Sequence, residues 1–76
     1  PTELVMLKVV VSDRPGTLAE VTTIASDLQV NVVDLQIAHS IEGGRGVLQL
    51  TIGKSGSRAL AESLTQRGYH CFVEEL

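Results

Sequence analysis

Cysteine is almost absent from this sequence, and so are the other devices that stabilise small proteins. The lone Cys71 excludes an internal disulfide, and no group of Cys and His residues has the spacing of a zinc site. A chain of 76 residues buries only about three-fifths of the surface that its unfolded form exposes. We therefore predict one domain, residues 1–76, whose marginal core is completed by packing against a partner.

Aromatic residues and positive charge are also scarce. Tyr69 and Phe72 are the only aromatic residues, and the formal net charge is −3. Nucleic-acid binders need basic surfaces and stacking side chains, so we predict no nucleic-acid partner. No apolar run has the length of a membrane span, so we expect no membrane partner. A single free cysteine is typical of a reducing compartment, and we expect a cytoplasmic protein.

Apolar residues alternate in four segments, which predicts strands over residues 4–11, 32–41, 47–52 and 69–75. Apolar residues recur at helical spacing in two segments. The first predicted helix carries Leu18, Val21, Ile24, Ala25 and Leu28, and the second carries Leu60, Ala61 and Leu64. On the second strand we expect Val33, Leu35, Ile37 and Ile41 to share one face.

Glycine marks the predicted turns. Residues 42–45 contain two glycines and predict a hairpin, and Gly68 is placed to end the second helix. Residues 53–56 are predicted to form a loop, after which Ser55 or Ser57 caps the second helix.

The order strand, helix, strand, strand, helix, strand predicts an α+β fold. With right-handed crossovers it gives a ferredoxin-like βαββαβ sandwich, a four-stranded antiparallel sheet with two helices on one face. This order leaves the second strand at a sheet edge, and an open edge either pairs or must be protected. We therefore predict a homodimer or a higher homo-oligomer.

The junction between the first strand and the first helix has the sequence Asp13-Arg14-Pro15-Gly16-Thr17-Leu18. As a structural element it is a turn and a helix start, in which Pro15 fixes φ and Asp13 caps nearby amides. As a binding element it offers the amides of residues 16–18 to an anion, at the positive end of the helix dipole. Because Gly16 has no side chain, a carboxylate can approach the backbone. The sequence alone leaves both interpretations open.

This run, extended to Ala19, resembles the loop that opens the first helix of ACT domains, and Val30-Asn31-Val32 resembles the start of their second strand. The resemblance covers essentially the whole chain. It implies a regulatory domain in which the loop of one copy and the Asn of its neighbour enclose a free amino acid. The implied ligand-binding residues are Asp13, Arg14, Pro15, Gly16, Thr17, Leu18, Asn31 and Val32.

Residues 31–40 and Arg67-Gly68-Tyr69 are most similar to the ACT domain at the C-terminus of bacterial prephenate dehydrogenases. That resemblance implies a catalytic domain of a parent enzyme as a further partner, and tyrosine or phenylalanine as the effector. Nothing in the loop itself specifies a ring, a hydroxyl or an aliphatic tail. The chain begins at Pro1, and we expect it to be a piece of a longer protein.

Three alternatives stay open at this stage. The chain can be the ACT domain of another amino-acid enzyme, or a pairing module that binds no ligand. It can also be an acylphosphatase-like enzyme of the same fold, with Arg14 and Asn31 as the catalytic pair, although the short proline-stiffened loop disfavours a phosphate cradle. We predict no catalytic residues, no metal and no cofactor in this chain, because no residue pair has the context that catalysis needs.

Overall fold

The computed structural model of the protein describes residues 3–12, 16–39 and 44–76. Its elements are β1 (Leu4–Ser12), α1 (Thr17–Asp27), β2 (Val32–His39), β3 (Arg45–Gly53), α2 (Lys54–Gln66) and β4 (His70–Glu75). The predicted βαββαβ order is confirmed. Asp13, Arg14 and Pro15 lie outside the described residues, as do Ile41 of the predicted second strand and Glu42 and Gly43 of the predicted 42–45 hairpin.

The four strands form one antiparallel sheet in the order β2-β3-β1-β4, so β2 and β4 are its edges. At one end of the sheet Val5 lies opposite Ile52, and at the other end Val11 lies opposite Gly46. Gly46 also pairs with His39, the last residue of β2. The end of β2 and the end of β1 therefore lie at the same end of the sheet.

The core lies between one face of this sheet and the two helices, which gives the predicted ferredoxin-like arrangement. Its strand residues alternate along β1 and β3, as predicted, and its helix residues follow one face of each helix. The buried residues are Val5, Leu7, Val9, Val11, Val21, Ile24, Ala25, Leu48, Leu50, Ile52, Leu60, Leu64 and Tyr69. Each fully buried aliphatic side chain stabilises the fold by about 1.5–3 kcal/mol, and the two central strands supply just over half of these core residues.

The edge strand β2 differs from the prediction in its pattern of burial. A β-bulge lies between Val32 and Asp34, so Val32 packs against the core while Val33 is 55% exposed. The prediction that Val33 shares a face with Leu35 is therefore wrong. Strict alternation fails here because a bulge inserts one residue into the strand and shifts the phase.

Two positions on the first helix were also predicted wrongly. Leu18 and Leu28 are each 41% exposed, whereas Val21, Ile24 and Ala25 are buried as expected. The buried stripe is centred on residues 21–25, and the two leucines flank it at the helix ends. Both leucines are left available for contact with another molecule.

The start of the second helix corrects a further prediction. β3 runs directly into α2, which begins at Lys54 with Gly53 as N-cap and no side-chain cap. The Lys54 amide donates to the Glu3 carbonyl at 2.9 Å. The backbone just before β1 therefore caps the first amide of α2, and neither Ser55 nor Ser57 does so. The Ser57 hydroxyl instead donates to the Lys54 carbonyl.

Both helices end in the same hydrogen-bonding pattern. After α2, Gly68 has a φ of +96° and its amide donates to Thr65, while the Tyr69 amide donates to Leu64. This is a Schellman motif, and it confirms Gly68 as the residue that ends the helix. After α1 the same pattern is built around Gln29, whose φ is +58°.

Candidate functional site

The start of α1 carries the first half of the predicted site. Gly16 is the N-cap, with a φ of +85° that a residue with a side chain rarely adopts, and no side chain among residues 3–12, 16–39 and 44–76 caps the helix. The first helical hydrogen bond runs from the Glu20 amide to the Gly16 carbonyl. The amides of Thr17 and Leu18 precede it, so they have no acceptor within the helix. A Cβ at Gly16 would meet nothing within 4 Å, so the approach to this backbone is free of the described residues.

Thr17 adds a feature that the sequence analysis did not predict. The residue is only 7% exposed, and its hydroxyl has no hydrogen-bond partner among the described residues. A buried hydroxyl without a partner destabilises a fold by about 1–3 kcal/mol. The oxygen has less than 1 Å² of accessible surface, so a ligand at the helix start reaches it only if the side chains that cover it move.

Glu20 stands in the first turn of α1, where its negative charge would compete with an anionic ligand. Its carboxylate is already engaged. The Tyr69 hydroxyl donates to Glu20 Oε1, and Arg67 Nη1 lies 3.5 Å from Glu20 Oε2. These contacts join α1 to the end of α2 and neutralise the one described acid of the first turn.

The connection between α1 and β2 holds Asn31 in a defined position. The Gln29 and Val30 amides donate to Ser26 and Ala25, each at 2.9 Å, and so tie the connection to the end of α1. On the other side, Val32 packs against the core. Asn31 is exposed between these two anchored segments, so its side chain is presented to solvent. A cavity of about 540 Å³, bordered by Asn31, Val30 and the first turns of α2, lies beside it.

Within one copy, the two halves of the predicted site are far apart. Gly16, Thr17 and Leu18 stand at the start of α1, and Asn31 and Val32 follow its other end. The helix between them has eleven residues, which at 1.5 Å per residue is a length of about 16 Å. Asn31 therefore cannot contact an amino acid bound at the Gly16 amides of its own chain.

Two other candidate residues have simpler roles. Burial raises the pKa of the Cys71 thiol, which therefore stays protonated at neutral pH and behaves as a small apolar side chain. His70 is exposed at the start of β4. Among the described residues no group of His, Cys, Asp and Glu is arranged to hold a metal ion. No helix in the described part of the chain is long and apolar enough to cross a membrane.

Comparison with solved structures places this geometry among known proteins. The ACT domain of prephenate dehydrogenase from Bacillus anthracis is 29% identical, with a TM-score of 0.77 over 88% of this chain and 99% of that one. The aspartate kinase regulatory subunit from Thermus flavus is 15% identical, with a TM-score of 0.81. Formyltetrahydrofolate deformylase from Burkholderia mallei is 12% identical, with a TM-score of 0.73.

The last two likenesses show the fold alone. The alignment with the aspartate kinase subunit covers 99% of this chain and 53% of that one. The alignment with the deformylase covers 95% of this chain and 28% of that one. No curated protein sequence matches the chain significantly. The family model of the ACT domain matches residues 5–67. That match spans five of the six elements and confirms the resemblance seen in the sequence: the chain belongs to the ACT domain family of regulatory modules.

Proposed function

We propose that this chain binds a free amino acid between two copies of itself and thereby regulates an enzyme of amino-acid biosynthesis. The observation that carries the proposal is the start of α1. There, within the part of the chain that the structure describes, no side chain caps the amides after Gly16 and the buried Thr17 hydroxyl has no partner. An amino-acid carboxylate satisfies these donors with charge-assisted hydrogen bonds.

The second copy supplies the other half of the site. A two-fold axis perpendicular to the sheet would place the β2 edges of two copies side by side and antiparallel. Asn31 of one copy would then lie beside the His39 end of the other, which is the end of the sheet where β1 stops and α1 begins. This arrangement supports binding by Gly16, Thr17 and Leu18 of one copy and by Asn31 and Val32 of the other.

In this proposal the loop residues complete the enclosure. Asp13 receives the ammonium group of the effector, and Arg14 and Pro15 shape the loop that leads to Gly16. The amide side chain of Asn31 binds the polar end of the amino acid. No cofactor is bound by this chain, and a nicotinamide cofactor of the parent enzyme would belong to its catalytic domain.

The parent enzyme we propose is a cytoplasmic prephenate dehydrogenase, with tyrosine or phenylalanine as the effector. The likeness to the Bacillus anthracis domain supports this choice, because it extends over nearly the full length of that domain at 29% identity. The amino acid would act by preferring one arrangement of the two copies. It can shift the parent enzyme only by the difference between its affinities for the two arrangements.

A thermal-shift screen of the 76-residue chain against the twenty amino acids tests the proposal. At a concentration one hundred times its Kd, a ligand stabilises the folded state by about 2.7 kcal/mol. In a domain of this size each 1 kcal/mol raises Tm by about 4–8 °C. We expect tyrosine or phenylalanine to raise Tm by about 10 °C or more under these conditions.

The Asn31→Ala variant tests whether the amino acid that raises Tm in this screen binds at the proposed site. Because Asn31 is exposed, the variant should keep the parent's Tm without ligand. Loss of one hydrogen bond to a charged ligand weakens binding by about 1.5–3 kcal/mol, or roughly ten- to a hundredfold. An unchanged Kd in a folded, paired Asn31→Ala protein would place the site elsewhere.

A pairing module without a ligand is the second candidate. The observation that favours it is the apolar surface of α1 and β2, where Leu18, Val33 and Ile37 are between 41% and 55% exposed. Such a module would form the same dimer through β2, but no amino acid would change its Tm.

A further inference from the structure

Gly56 is the third residue of α2 and is an unusual choice for that position. Glycine destabilises a helix relative to alanine, because it has more backbone freedom to lose on folding. The backbone conformation does not require it, since the glycines with positive φ in the described chain are Gly16, Gly44 and Gly68. A different reason must place a glycine here.

The reason is the space between α2 and the connection that carries Asn31. A Cβ at position 56 would lie 2.8 Å from Cγ2 of Val30 and 3.5 Å from its Cγ1. The shorter distance is below any ordinary carbon contact. The backbone of α2 therefore packs directly against Val30, the residue before Asn31.

An added side chain at position 56 would displace the connection more readily than the helix. The start of α2 is held by the hydrogen bond from the Lys54 amide to Glu3 and by ion pairs from Lys54 to Glu3 and Glu75, each 3.4 Å. Further along, Leu60 and Leu64 are fully buried. The connection is tied to α1 by the Gln29 and Val30 amides, but residues 28, 29 and 31 are exposed and border the 540 Å³ cavity, so it has open space beside it.

We infer that Gly56 is a positioning residue for the effector: its missing side chain lets α2 hold Val30, and thereby Asn31, where Asn31 reaches the ligand of a second copy. Gly56 itself touches no ligand. This inference rests on the proposed function for its consequence in binding, but the placement of Asn31 by Gly56 is a property of the unliganded chain. The two can therefore be tested separately.

The test uses the variants Gly56→Ala, Val30→Ala and the double variant, with Ser55→Ala in the same helical turn as a control. The first readout is the NMR chemical shift of the Asn31 backbone amide without ligand. The second is the Kd for L-tyrosine, measured by calorimetry. The double variant adds one carbon at position 56 and removes two at position 30, so it relieves the contact between the new Cβ and the Val30 methyl groups.

We expect Gly56→Ala to move the Asn31 amide resonance and to weaken L-tyrosine binding by up to about tenfold, the lower end of the loss expected from removing the Asn31 hydrogen bond. The double variant should return both readouts toward the parent values, and Ser55→Ala should change neither. Unchanged readouts in Gly56→Ala, or no recovery in the double variant, would overturn the inference. If the parent chain does not bind L-tyrosine, the same titrations are made with L-phenylalanine. If it binds neither, the proposed effector fails, and the NMR readout alone decides the role of Gly56.

Discussion

At the scale of single residues, the donors at the start of α1 are the feature that most needs an explanation. Native proteins leave few buried polar groups without partners, and those that occur often mark functional positions. Thr17 is such a position among the described residues, since its side chain is buried and its hydroxyl is unpaired. Thr17 follows Gly16 directly, so its hydroxyl belongs to the same turn as the amides that no described side chain caps.

Replacing Thr17 by valine tests the role of the hydroxyl, because valine keeps the shape and removes the oxygen. Without ligand, Thr17→Val should be as stable as the parent or more stable, by up to about 1–3 kcal/mol, since an unpaired buried group is removed. The affinity for the effector should fall roughly tenfold or more. Calorimetric binding and thermal unfolding of the same samples measure both quantities.

Thr17→Ser is the matched control, since it keeps the hydroxyl and loses only a methyl group. It should bind the effector nearly as tightly as the parent. A Thr17→Val protein that unfolds at a lower temperature and binds normally would show that the hydroxyl is paired within the fold and does not meet the ligand.

At the scale of the elements, the two sheet edges differ in what they offer to another chain. β2 carries the half-exposed Ile37 and contributes only partly buried residues to the core. β4 carries the half-exposed Phe72 and Val73, but its glutamates form ion pairs within the chain, Glu74 with Lys8 at 3.2 Å and Glu75 with Lys54. We therefore expect pairing between copies through β2.

Lysine on an edge strand is a common way to prevent pairing, and it provides a matched test. Ile37 and Val73 are similarly exposed, at 44% and 48%, and both point to the helix side of the sheet. Ile37→Lys should convert the dimer to a folded monomer in sedimentation equilibrium, while Val73→Lys should leave the dimer intact. The reverse pattern would assign the interface to β4.

Hydrophobic periodicity predicted every element of this fold, because the alternating residues of β1 and β3 and the stripes of the helices form the core. The errors occurred where tertiary contacts replace local patterns. The bulge at Val33 breaks the alternation without any sequence marker, and the start of α2 is capped by the Glu3 carbonyl, 51 residues away in sequence from Lys54.

The candidate site was predictable only in part. Gly16 was identified from its place in the turn, and the family resemblance gave Asn31 its role. The burial of the Thr17 hydroxyl and the contact between Gly56 and Val30 depend on how the helices pack. Neither feature could be predicted from a local sequence pattern. Asp13, Arg14 and Pro15 stay predictions, because they lie outside the described residues.

At the scale of the whole molecule, the central claim is that each effector site is shared between two chains. The length of α1 separates Gly16 and Thr17 from Asn31 within one copy. In an isologous dimer the same pair of half-sites occurs twice, once on each side of the two-fold axis. Two variants that damage different halves should therefore complement each other in a mixed dimer.

Mixing Thr17→Val and Asn31→Ala chains measures this most directly. A mixed dimer has one site with both residues intact and one site with both replaced. After equal mixing about half of the dimers are mixed, so tight effector binding should return at about a quarter of the parent's stoichiometry. Calorimetry of the mixture and of each variant alone measures the number of tight effector sites per chain. Recovery at that level is the result predicted here, and a mixture that binds no better than its two components would contradict a site shared between chains.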